Sequence, residues 1–162
     1  MSSVLGFPRV VDDISVRIVA ALVLAAVLLT AVTGWWWLFA VLAVDFWLRV
    51  ASGPRFSPLA HLTLKVIRPR LSVEPRETPG PPKRFAALMG AVLTTVIVVL
   101  FALGATTAAW VLGVMMVVFP ALEAFLGLCV GCVIFAVGMR VGLVPAAVCL
   151  ECNDISLRQR SA

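Results

Sequence analysis

All four cysteines of this chain stand in its last 34 residues, as two C-x-x-C pairs: Cys129-Val-Gly-Cys132 and Cys149-Leu-Glu-Cys152, with sixteen residues between them. Two chemistries fit these residue types. A C-x2-C, then about 15–20 residues, then a second C-x2-C is a zinc-site spacing. Four thiolates so placed can close a tetrahedral shell around zinc or hold an iron–sulfur cluster. Alternatively each pair works alone as a dithiol that exchanges with a disulfide. Cys129 and Cys132, three residues apart, share a face if they lie on one helix. In a reducing compartment a disulfide there is transient and catalytic. Glu151 beside Cys152 disfavours a nearby thiolate by like charge, which weakens the tail pair as a nucleophile. A third reading is that the cysteines are small apolar fillers of a membrane helix.

Three ionisable residues interrupt otherwise apolar runs. Asp45 and Arg49 stand at i, i+4, the spacing of an ion pair on one helix face. Glu123 follows Pro120 and has no partner visible in the sequence. Around an ideal helix at about 100° per residue, Glu123 lies about 120° from Cys129 and about 180° from Cys132. It is therefore expected to serve a proton path or an interhelix contact, not to act as a base on the thiols. The single histidine, His61, sits in a basic stretch and reads as a solvated interfacial residue. There is no G-x-S-x-G, Walker A or H-E-x-x-H motif, and no tyrosine.

The elements that must position these residues are set by composition. The chain is 62% hydrophobic and 13% charged over 162 residues, with a mean hydropathy of +1.11. A soluble domain of this size has too little interior for so much apolar surface. Lipid is the expected solvent. Spans of about 20 apolar residues are expected at 16–33, 35–51, 85–103 and 108–139. The first is a span and not a cleavable signal, since Asp12 and Asp13 precede it in place of a basic start. Trp35, Trp36 and Trp37 suit a membrane interface.

The last apolar run is 32 residues long, roughly 48 Å as one helix. That is too long for a straight crossing, and a kink at Pro120 is expected. Residues 52–84 form a proline-rich, basic loop in which Leu59, Leu62 and Val66 recur opposite His61, Lys65 and Arg68. This spacing predicts a short amphipathic helix on the membrane surface. Residues 140–162 form a tail.

The net charge of +5 is concentrated in that loop and after the last span, the pattern of segments kept in the cytoplasm. It calls for no nucleic-acid partner, because no recognition module is present. The expectation is an all-α, polytopic single membrane domain. Four transmembrane helices form two hairpins, with both termini in the cytoplasm.

Several segments together resemble a bacterial membrane family catalogued as domain of unknown function 4395. They are Phe7-Pro-Arg-Val-Val-Asp12, Asp45-Phe-Trp-Leu-Arg49 with Gly53-Pro-Arg-Phe-Ser-Pro58, Pro82-Lys-Arg-Phe-Ala86, and Leu122-Glu-Ala-Phe-Leu-Gly-Leu-Cys129-Val-Gly-Cys132. The resemblance covers nearly the whole chain. It implies a four-span fold in a bacterial inner membrane and no established activity. Genes of the family often stand beside thioredoxin-like and thiosulfate-sulfurtransferase-like genes, which implies such a protein as partner. A weaker, architectural similarity is to four-helix membrane proteins of the DoxX and MauE type.

The leading expectation is a thiol-based redox or sulfur-relay component. Cys129 and Cys132 are its membrane-side pair, Cys149 and Cys152 its cytoplasmic pair, and Glu123 lies on a proton path. One alternative is a membrane anchor or assembly subunit whose four cysteines bind zinc or an iron–sulfur cluster. Another is a small transporter using Asp45, Arg49 and Glu123.

Overall fold

The computed structural model describes residues 10–145, 148 and 149. The chain opens with a short strand, β1 (Val10–Asp12), which leads directly into α1 (Asp13–Thr33). Asp12 starts the helix: its carboxylate accepts the Ser15 N–H at 3.2 Å, filling one of the orphan donors of the first turn. α1 stops at Gly34, whose left-handed backbone (φ 73°) sends its N–H back to the Thr30 carbonyl. Trp35 to Trp37 make the turn into α2 (Leu38–Ser52).

Gly53–Arg55 is a single tight turn. It leads to α3 (Pro58–Leu62), which continues through a widened π turn (Thr63–Ile67) and a 3-10 turn (Arg68–Arg70). Pro58 sits where a helix start needs no N–H, and Ser57 caps it through Ala60. β2 (Glu77–Pro79) pairs antiparallel with β1 in the register Val10↔Pro79, Val11↔Thr78, Asp12↔Glu77. α4 (Gly80–Ala102), α5 (Thr106–Ala121) and α6 (Val130–Arg140) follow.

Among the described residues, three helices are long and apolar enough to cross a membrane: Asp13–Thr33, Gly80–Ala102 and Thr106–Leu126, the last being α5 with the π turn Leu122–Leu126. Their outer faces carry large exposed apolar side chains, among them Leu28, Val32, Val99, Val111 and Val114. α2 has 15 residues, about 22 Å of helix.

α2 packs chiefly on α4, and α1 on α5 and the turn that follows it, so the closest pairs are not the sequence neighbours α1 and α2. The core lies between these layers, on Val23, Val27, Phe39, Leu42, Ala91, Ile97 and Met116. Close approach is built in at Gly90, where an added Cβ would fall 2.7 Å from the Phe46 ring. At the end opposite β1–β2, Phe101 stacks on Trp36 (6.0 Å between ring centres) and meets Trp110 edge-on (5.5 Å).

The apolar run 108–139 is not one helix. Pro120 lies inside α5 and removes a backbone donor. The π turn widens the helix just after it. Gly127 then adopts φ 66°, and Leu128 donates back to the Leu122 carbonyl at 3.1 Å. Hydrophobicity is continuous across this break, so pattern alone joins what proline and glycine separate.

Candidate functional site

The break decides where the first cysteine pair sits. Cys129 is extended (φ −86°, ψ 107°) and is the N-cap of α6, and its sulfur accepts the Cys132 N–H at 3.3 Å. Cys132 lies in the first turn. The pair thus occupies a helix N-terminus, where free N–H groups and the helix dipole favour negative charge. This corrects the expectation of a pair in mid-helix. Both thiols are free. Cys129 is buried at 9% exposure, and Cys132 is half-buried. α6 is held against one turn of α4: a Cβ on Gly131 would fall 2.6 Å from the Ala86 Cα, and Phe135 lies against Phe85 at 5.8 Å between ring centres.

Glu123 has a partner that the sequence did not reveal. Its carboxylate accepts from Lys83 Nζ at 2.6 Å, and both side chains are buried. Asp13 lies 3.6 Å from the same ammonium and 4.0 Å from Arg17. The Arg17 guanidinium lies over Gly127, where an added Cβ would fall 2.2 Å from it.

Lys83 and Glu123 are close enough to both thiols to act on them electrostatically. The helix angles that separated Glu123 from the cysteines do not apply, because the helix ends between them. The Cys132 thiol is held below the ordinary cysteine range, first by its hydrogen bond with Cys129. Burial opposes this, and the nearby Lys83 charge supports it. The Cys129 thiol is pushed up by the same hydrogen bond and by its burial.

Asp45 and Arg49 do pair. Asp45 also accepts from the Ser57 hydroxyl at 2.6 Å and from the Leu59 N–H at 3.1 Å. Arg49 stands over the Phe46 ring at 5.0 Å. The pair fastens α2 to the start of α3, a structural clamp with its acceptors filled. A third cluster centres on Asp12, which accepts from Ser15 Oγ at 2.6 Å, Arg68 Nε at 2.7 Å and Arg76 N at 3.0 Å. Burial works against its charge, yet these bonds outweigh it and hold the carboxyl below its usual range. Asp12, Arg68 and Lys83 are the polar residues that sequence reasoning missed. Only the N-cap pattern Asp12-x-x-Ser15 carried a local signal for one of them.

An elongated cavity of about 810 Å³ opens between α1, α4 and α5. Lys83, Glu123, Cys129, Asp12 and Ser15 line it at one end, and Val23, Leu93, Val96 and Leu112 line it further along these helices.

Cys149 is buried and is not a free thiol, and Cys152 lies outside the described residues. Among the described residues no three His, Cys, Asp or Glu side chains converge as a metal site would require. Cys129 and Cys132 therefore do not share a centre with Cys149.

A family model described as a domain of unknown function matches residues 11–140. The match begins at the β1–α1 cap and stops at the end of α6, so it contains Cys129 and Cys132 and excludes the tail pair. No curated protein and no solved structure matches the chain. With the match spanning both the helices and the Lys83–Glu123–Cys129 end of the bundle, the chain belongs to the family of the domain of unknown function DUF4395.

Proposed function

We infer that this is a multi-pass inner-membrane protein that carries out thiol exchange at the cytoplasmic end of its bundle. The observation that carries this reading is the free Cys129–Cys132 pair at the N-terminus of α6, beside the buried Lys83–Glu123 pair. Helix N-termini and nearby cations favour thiolates, and the thiolate is the nucleophile. Cys132 is the half-buried member and the one that meets the partner: a thiolate of a thioredoxin-like or sulfurtransferase protein attacks the Cys132 sulfur of the oxidised Cys129–Cys132 pair. A mixed disulfide forms as the Cys129 thiolate leaves, and the partner's second thiol then displaces Cys132, so that the partner ends as a disulfide and the Cys129–Cys132 pair as a dithiol. Glu123 and Lys83 stand where they can pass a proton to the departing Cys129 sulfur.

The orientation has its own support. The starts of α1 and α4 and the ends of α2 and α5 all meet at the polar end, which also holds the basic segment Arg55–Arg84. The turns 34–37 and 103–105 at the other end carry no charge. Charge bias of this kind keeps the basic side in the cytoplasm. α2 then completes four spans, its short length met by the Trp35–Trp37 turn at the interface and by local thinning of the bilayer.

Trapping tests the reading. In membranes, Cys129→Ser is expected to accumulate a mixed disulfide between Cys132 and a thioredoxin-like or sulfurtransferase partner, which Cys132→Ser does not form. The reading fails if neither variant traps a partner and the wild-type pair never leaves the dithiol state.

A further inference from the structure

The elongated cavity has the form of a site for a long apolar molecule with a polar head. On α4 its wall runs from Lys83 to Val96, about 20 Å at about 1.5 Å per residue. Its volume falls in the range of small-molecule sites, about 300–1,000 Å³. The polar groups are gathered at one end, and their charges are already matched. Lys83 is paired with Glu123 and Asp13, Arg49 with Asp45, and Asp12 with Arg68. A phosphate head entering there would meet a carboxylate beside each of these cations. A neutral head with hydrogen-bond acceptors suits such an end better. Cys129 stands on the wall at that end beside Lys83 and Glu123. Cys132 does not line the cavity and is half-buried. The two members of the pair therefore differ: Cys129 borders the cavity and Cys132 does not.

We propose that the cavity binds a membrane-soluble quinone, which takes the two electrons of the Cys129–Cys132 dithiol. The proposal rests on the thiol-exchange reading and names its electron acceptor. The balance is closed. Two S–H bonds break and one S–S bond forms. Both electrons pass to the quinone ring, and two protons end on its two oxygens to give the quinol. Lys83 and Glu123 border the path of those protons. Cys129 faces the quinone, and Cys132 faces the protein partner whose dithiol the new disulfide then oxidises.

The test uses the full chain, reduced and reconstituted anaerobically in phosphatidylcholine nanodiscs, with two oxidants in parallel. Diamide, a soluble thiol oxidant, reads the pair itself. A decyl-substituted, fully ring-substituted benzoquinone reads the cavity, with quinol followed by absorbance and the disulfide by mass tagging. Oxidation by both, at one quinol per disulfide, is the expected result. Oxidation by diamide alone overturns the quinone site and leaves the thiol pair standing. Oxidation by neither overturns the thiol reading. Recovery of stoichiometric phospholipid from the purified protein, undisplaced by the quinone, also overturns the quinone site. Ala20 lines the cavity on α1, and Ala20→Trp is expected to slow quinone oxidation at least about tenfold more than diamide oxidation, because it fills the apolar part of the cavity. Equal slowing of both overturns the cavity route.

Discussion

Lys83 and Glu123 stand forty residues apart in the chain and meet through a 2.6 Å hydrogen bond, with both side chains buried. The pair joins the start of α4 to the turn that ends α5, and it forms one wall of the cavity that Cys129 also lines. Removing one partner strands the other charge away from water. Lys83→Met alone is therefore expected to destabilise the fold by about 3 kcal/mol or more, and Glu123→Gln by a similar amount. The double replacement Lys83→Met with Glu123→Leu is expected to recover most of the loss. Thermal unfolding in detergent of the two single variants and the double variant measures this. Additive losses would show that the two residues do not depend on one another.

Asp45 is 2% exposed and accepts from Arg49, Ser57 and the Leu59 backbone. Asp45→Ala leaves the Arg49 guanidinium without its counter-ion, and a loss of about 3 kcal/mol is expected. Ser57→Ala removes one neutral donor and is expected to cost about 1 kcal/mol. Denaturation midpoints of the two variants give the ranking. A Ser57 variant as damaged as the Asp45 variant would place the weight of the clamp on the α3 cap.

Gly131 admits α6 to the α4 backbone. Gly131→Ala must push the helices apart, because its methyl group would fall 2.6 Å from both the Cα and the Cβ of Ala86. Overpacking of this kind costs about 1–3 kcal/mol. The readout is the ease of forming the Cys129–Cys132 disulfide, which is expected to change along with unfolding temperature, since α6 carries both sulfurs. An unaltered protein would mean that α6 moves without cost.

The Asp12 carboxyl is held below its usual range by donors from α1, Arg68 and Arg76. A depressed folded-state value means that the stabilisation is fully present above the unfolded value and is lost as pH falls through the folded one. The window lies below about pH 4, the ordinary aspartate region. Hydrogen exchange of the β1–β2 amides is expected to be constant from neutral pH to about pH 4, once corrected for intrinsic rates, and to speed up below it. Asp12→Asn is expected to show the fast behaviour at neutral pH.

Between the two thiols the order of ionisation is set by their mutual hydrogen bond, with Lys83 nearby. Cys132 is expected to alkylate first as pH is raised, and Cys129 later. Peptide mapping of the wild-type protein after brief iodoacetamide pulses across pH measures this, since both thiols must be present for their mutual bond to act. Replacing Lys83 is expected to move the Cys132 profile toward higher pH.

Much of the fold can be read from residue patterns. The apolar runs place α1, α4 and α5, and the i, i+4 spacing of Asp45 and Arg49 states their pairing outright, because a helix makes neighbours of such residues. The contacts that order the polar end are of a different kind. Lys83 with Glu123 and Arg68 with Asp12 are 40 and 56 positions apart, and no local period announces them. Lys83 stood inside a basic, proline-rich stretch and read as loop, although Gly80, Pro81 and Pro82 had already begun a helix. The break before α6 had its signals in Pro120 and Gly127. They were outweighed by an apolar run that continues through them, since hydropathy measures solvent preference and carries no information on backbone direction.

The pairing of α2 with α4 and of α1 with α5 has a consequence for how the protein is made. α1 and α2 each find their main neighbour in the second half, across the basic segment that joins them. A ribosome that has delivered only α1 and α2 has delivered two helices with their packing faces still in lipid, and the Asp12 cap still lacks Arg68 and Arg76. The bundle closes only when α5 arrives. Assembly is therefore late and has an order, α2 closing on α4 before α1 closes on α5, and a chain cut within residues 71–75 retains on its two pieces every helix needed to find that arrangement again.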